Sequence, residues 1–227
     1  LVYAILKGSV GLPETAERPD PPDFLFDLGE RRVALEVVEL VSTGERRNEG
    51  EEDAIVEASR KLYIEARGLP GRIVIWFCGR TPPKSRRAQI SRQICNIVLS
   101  ERPAAGESID VGNPYDGAGL WPDEVDHVSI STLPCFDTFD WHCLEAGWQR
   151  NGIASEIQSL IQAKEAKLDS YLAEADEAWL AVACQNMSPS SFFKLSREDK
   201  SADYHSSFRR LFFVDGFSGS AHELRAV

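Results

Sequence analysis

The chain has 227 residues, 43% of them hydrophobic and 27% charged, with a net charge of -11. That length and mix predict one globular domain with a substantial core rather than a disordered chain. No stretch approaches the ~20 consecutive apolar residues that a bilayer span needs, so no membrane partner is expected. The cysteines Cys78, Cys95, Cys135, Cys143 and Cys184 are odd in number, with no Cys-x-x-Cys pair. This argues against a disulfide framework and for a cytoplasmic protein. His127, Cys135, His142 and Cys143 do not have the spacing of a structural zinc site.

In chain order, residues 8–22 are rich in Gly, Pro and acids and predict a loop or broken helix that contains Glu14 and Glu17. Phe24 to Leu28 alternates in character, Gly29-Glu30 supplies a turn, and an apolar run follows from Val33 to Val41, so the pair predicts a β-hairpin. Ser42 to Asp53 is polar and reads as a loop, and Ala54 to Ala66 has helical spacing. Arg72 to Cys78 is a β-branched and aromatic strand, and a helix is expected from about Ser85 to Leu99. Glu101 to Gly119 reads as irregular, with a strand near His127 to Leu133 and aromatic loop through Trp148. The stretch at about 101–150 is therefore expected to be a loop-rich insertion in a single domain spanning 1–227. A helix from about Gly152 to Glu174, a strand from Ala178 to Cys184 and a last strand from Arg210 to Asp215 complete the pattern. The fold class expected is α/β, a mixed central sheet flanked by helices.

Charge is unevenly distributed. From Ala66 to Ser100 there is no acid, whereas Arg67, Arg72, Arg80, Lys84, Arg86, Arg87 and Arg92 all fall there, so the remainder of the chain carries -18. Lys84, Arg86, Arg87 and Arg92 are expected to bind nucleic-acid phosphates, and a solvated face paired with acids elsewhere is the alternative.

Strand geometry puts Asp23, Leu25 and Asp27 on one face of the first strand, while Glu36 and Val38 share a face of the second. Glu36 interrupts the run Val33-Ala34-Leu35-Glu36-Val37-Val38. A carboxylate in the middle of a sheet strand is costly to bury unless a cation or hydrogen bonds compensate. Read separately, Asp23 and Glu36 are one acid capping a strand and one in a salt bridge.

The segment Pro22-Asp23-Phe24, a short strand, a turn at Gly29 and Ala34-Leu35-Glu36-Val37-Val38 resembles the core motif of the PD-(D/E)XK nucleases. The resemblance covers about 30 residues and implies a restriction-endonuclease-like core in which Asp23 and Glu36 ligate Mg²⁺ or Mn²⁺. It also implies metal-dependent phosphodiester hydrolysis of nucleic acid, DNA ahead of RNA, with Glu17 or Glu14 as a further acid. Hard oxygen ligands suit such an ion, which lowers the pKa of a bound water and offsets charge on the phosphate. The sequence departs from the family at its lysine, two residues after the Glu, where Val38 stands. Glu39 has the wrong sign and points to the other face.

A replacement is available later in the chain. At ~100° per residue, Ile153, Ile157, Leu160, Ile161, Leu168, Tyr171 and Leu172 fall in one sector of roughly 120°. Lys164 lies inside that stripe and Lys167 at its edge. A buried ammonium requires an anion, and the carboxylates are the expected one; snorkelling to water is the alternative. Two functions follow: a nuclease using Asp23, Glu36 and Lys164 or Lys167, or an inactive nuclease-like domain that binds nucleic acid or a protein partner.

Overall fold

The computed structural model of the chain describes residues 1–79, 81–113, 121–132, 134–135, 137–144, 150–184 and 188–227. It opens with helix α1 (Val2–Val10), strands β1 (Phe24–Leu28) and β2 (Arg31–Glu39), helix α2 (Thr43–Glu65) and strand β3 (Gly71–Phe77). A 3₁₀ turn (Lys84–Arg86) leads into α3 (Arg87–Ser100), followed by β4 (Ser108–Gly112), β5 (Val125–Ser131) and β6 (Phe139–Leu144). The C-terminal part holds α4 (Ala154–Glu165), α5 (Leu168–Leu172), β7 (Glu177–Cys184), α6 (Arg197–Ser201), β8 (Asp203–Tyr204), β9 (Arg210–Asp215) and β10 (Ser220–Ala226). No helix among the described residues is long and apolar enough to cross a membrane.

Two compact units result, Leu1–Ser42 with Gly147–Val227, and Thr43–Ala146. The first contains a six-stranded mixed sheet in the order β1-β2-β7-β9-β10-β8. Its start is the expected hairpin: Leu28 pairs with Arg31 across Gly29-Glu30, and Gly29 has φ 65, as a II′ turn requires at its first central position. Strand β2 then runs parallel to β7, with Glu36 opposite Leu180, and β7 runs parallel to β9. Both faces of this sheet are covered. On one, Val33, Leu35, Trp179, Phe212 and Val214 pack under Val2 and Leu6 of α1. On the other, Leu25, Ala34, Leu180, Val182, Leu211 and Phe213 pack under Ile157, Ile161 and Tyr171 of α4 and α5. Burial on both faces explains why β2 reads as a continuous apolar run rather than an alternating one.

The second unit has a four-stranded sheet in the order β4-β5-β3-β6. Ile73, Ile75, Val128, Ile130 and Trp141 of its strands pack with Ile55, Val56 and Tyr63 of α2 and Ile90, Ile94 and Val98 of α3. The domain expectation therefore needs correcting in extent. The chain leaves the first unit at Thr43 rather than near 101, and 101–150 contributes three strands to a sheet with its own core. Ser42 to Asp53 is largely the start of α2, because its Glu, Arg and Asn residues form the outer turns of a long helix rather than a loop. The helix expected over 152–174 is interrupted at Ala166-Lys167, and β10 follows what was expected to be the last strand. Arg80, Gly119, Leu133 and Trp148 lie outside the described residues.

Candidate functional site

Asp23 and Glu36 come together through the hairpin register. Phe24 pairs with Leu35 and Leu25 with Ala34, so continuing the register by one residue places Asp23 opposite Glu36 on the face covered by α4 and α5. The ladder stops there because the next position on the first strand is Pro22, which has no N–H to give. Asp23 takes over: its Oδ2 accepts the Val37 N–H at 2.8 Å. Its side chain is otherwise exposed.

Glu36 is 6% exposed, and its charge is balanced from the helical layer. Lys164 of α4 donates from Nζ to Glu36 Oε1 at 2.5 Å, with the lysine side chain 23% exposed. The lysine in the apolar stripe of the sequence thus reaches the acid in the apolar run of the strand, two irregularities that balance each other. An ion pair so far removed from water owes its stability to close geometry, since desolvating both groups costs several kcal/mol. Glu36 Oε2 is buried and has no hydrogen-bond partner among the described residues.

Tyr171 of α5 completes the cluster, seven residues beyond Lys164. Its hydroxyl is also buried without a hydrogen-bond partner. Burial pushes the phenol pKa well up, reinforced by the charge and proximity of Glu36 and by the charge of Asp23. The contact between Tyr171 and Glu36 stops short of a hydrogen bond, so a donor and an acceptor stand near one another, both unclaimed. The sequence marks Tyr171 only as part of the apolar stripe. Its heptad spacing from Lys164 is the one signal that it shares the lysine's surroundings.

The other expected site residues fall elsewhere. Glu17 is hydrogen-bonded through its backbone to Leu25, and its carboxylate is held by Arg32 at 2.9 and 3.0 Å, so it extends the sheet edge instead of joining Glu36. Glu14 pairs with Lys7. Lys167 is exposed at the turn between α4 and α5, where its carbonyl accepts the Ser170 N–H at 3.0 Å; the helix break carries its side chain off the stripe.

Lys84, Arg86, Arg87 and Arg92 belong to the second unit. Arg87 bonds Glu51 at 2.5 Å and Lys84 approaches the same carboxylate at 3.5 Å. Arg86 bonds Glu124 at 2.7 Å. Glu51 and Glu124 are themselves buried, and the Arg87 hydrogen bond holds the Glu51 carboxyl below its usual range. Three of the four cations therefore neutralise buried acids, whereas Arg92 is exposed on α3.

Chemically, the cluster offers two carboxylates on neighbouring strands, one exposed and one buried with an unclaimed oxygen. This suits Mg²⁺ or Mn²⁺, which take hard oxygens and are commonly held by one or two carboxylates with water and substrate filling the rest. No group of three or more His, Cys, Asp or Glu suited to a metal occurs among the described residues, so a fully protein-caged ion is not the arrangement offered. The chain matches no protein-family model, no curated protein and no solved structure.

Proposed function

We propose that the first unit is a metal-dependent phosphodiesterase acting on nucleic acid, DNA ahead of RNA, built on a restriction-endonuclease-like core. The observation that carries the reading is the buried Glu36, bonded on one oxygen by Lys164 and unclaimed on the other, opposite Asp23. Asp23 and Glu36 would hold Mg²⁺ or Mn²⁺. When bound, such an ion supplies a water of lowered pKa and offsets charge developing on the phosphate. Lys164 fixes the Glu36 carboxylate with one N–H and keeps two further donors for a water or a phosphoryl oxygen. Its position lets it provide the positive charge that Val38 cannot, in surroundings where that charge acts more strongly than in bulk water.

A second reading rests on the same atoms. Asp23 is already engaged by Val37 and Glu36 by Lys164, which is sufficient for an inactive, nuclease-like binding domain. Cleavage separates the two: end-labelled single- and double-stranded DNA and RNA are incubated with Mg²⁺ or Mn²⁺ and wild type, Glu36→Gln or Lys164→Met. The enzymatic reading expects cleavage that requires the ion and is lost in both variants. Wild type that cleaves none of the substrates, or Glu36→Gln that cleaves at the wild-type rate, refutes it.

A further inference from the structure

We propose that the first unit carries a second ligand site, a cleft of about 340 Å³ between α6 and the β9–β10 hairpin that takes a nucleoside monophosphate. The inference does not rest on the nuclease reading. The cleft is lined by Lys194, Lys200, His222, Ser218, Ser220 and Phe217, a combination of cations, hydroxyls and an aromatic ring. Its floor is Phe213, 3% exposed, so the wall beneath it is fixed by the sheet core.

Charge pairing singles this cleft out. In a chain of net charge -11, Lys7, Lys61, Lys84 and Lys164 each hold a carboxylate. Lys167, Lys194 and Lys200 hold none among the described residues and all three are exposed, but Lys194 and Lys200 alone of these face one cleft. The acid in the lining, Asp215, is occupied: it accepts the Phe217 and Ser218 N–H groups at 2.9 and 3.1 Å and the Ser218 hydroxyl at 2.7 Å. Those neutral donors leave the Asp215 charge in place but hold the carboxylate apart from both lysines, and two ammonium groups against one carboxylate give the cleft a net positive charge that suits a phosphate monoester.

Phe217 supplies the base-binding half. It is 61% exposed, yet its backbone N–H is tied to Asp215 and its ring is braced edge-on by Phe192 at 6.2 Å and 84°. A held, exposed ring offers a face on which a nucleobase can stack without base specificity. The volume falls in the range of small-ligand sites, ~300–1,000 Å³.

The test is calorimetric titration, in a phosphate-free buffer, of the full chain with AMP, adenosine and inorganic phosphate. The proposal expects AMP to bind one to one, with adenosine and inorganic phosphate each weaker by about tenfold or more. Lys194→Gln/Lys200→Gln, both surface changes whose folding is checked by circular dichroism, should weaken AMP at least tenfold. Phe217→Ala should weaken AMP but not phosphate, and Glu36→Gln should change neither. The proposal is overturned if AMP does not bind, if the double variant binds it as wild type does, or if AMP binds no more tightly than inorganic phosphate. Loss of AMP binding in Glu36→Gln alone would place the ligand at Glu36 and overturn it equally.

Discussion

Replacing Lys164 by Met keeps most of the apolar stem of the side chain and removes the ammonium that balances Glu36. The carboxylate is only 7% exposed, so the variant leaves a buried, uncompensated charge, a change that costs ~3–5 kcal/mol in fully buried pairs. The Lys164 side chain is 23% exposed, which lets water reach part of the space the ammonium vacates, and the lower end, about 3 kcal/mol, is expected. Glu36→Gln in the same background removes the stranded charge, so the double variant should recover about 2 kcal/mol of that loss. Since two compact units need not unfold together, the readout is native-state hydrogen exchange at the Glu36, Val37 and Leu180 amides, which reports local opening of β2 and β7. A Lys164→Met protein whose β2 amides are protected as in wild type, or a double variant as impaired as the two single losses added, would refute the claim that Lys164 is the counter-ion of Glu36.

Asp23→Ala should speed exchange of the Val37 amide by about tenfold, as loss of a hydrogen bond to an exposed carboxylate predicts, while Asp23→Asn retains most of the protection; unchanged exchange in Asp23→Ala would contradict the capping role. Tyr171→Phe removes a hydroxyl that bonds nothing and should shift stability by less than about 1 kcal/mol in denaturant unfolding; a larger loss would show that the phenol is bonded to Glu36. Asp199 is buried, which raises its pKa, but N–H donors from Ser196, Gly152 and Ala154 outweigh burial and set it below the usual value. Its contribution is therefore full above the unfolded pKa of ~3.9 and fades as pH falls through the lower folded value. Asp199→Asn should lose ~2 kcal/mol near neutrality and flatten the stability profile below about pH 4, whereas a profile parallel to wild type would refute this. Among the basic residues, Arg92→Ala should reduce the salt dependence of nucleic-acid binding by about one ion. Arg86→Ala should instead destabilise the second unit by leaving Glu124 buried and unpaired, and Arg87→Ala should do so less, since Glu51 keeps the longer Lys84 contact; thermal melts and binding isotherms separate the two effects.

The parts of the fold that were legible in the sequence are those where periodicity is strong. Asp23 and Leu25 share a face of the first strand and Glu36 and Val38 a face of the second by strand alternation, and Lys164 falls among Ile157, Leu160 and Ile161 by helical spacing, so the Glu36–Lys164 contact could be anticipated from two misplaced charges. The second unit was not legible as a unit. Strand β4 has intermediate and exposed positions only, β6 buries only Trp141 fully, and neither has a run long enough to separate a strand from loop. Strand β10 buries only Leu224, so Ser-Ala-His-Glu-Leu-Arg-Ala offers no alternating apolar signal. Glu51 and Glu124 escaped notice because nothing local shows that a glutamate on a helix or in a loop will be buried by an arginine about 36 residues away. Tyr171 escaped because a phenol in an apolar stripe looks like core packing, which it also is.

The central claim, that Asp23 and Glu36 together hold a divalent ion, is tested most directly by titrating the protein with Mn²⁺ and following free Mn²⁺ by electron paramagnetic resonance, for wild type, Asp23→Asn and Glu36→Gln. The account predicts one saturable ion per wild-type chain and at least tenfold weaker binding in each variant. Wild type that binds no Mn²⁺, or variants that bind it as tightly as wild type, would contradict it.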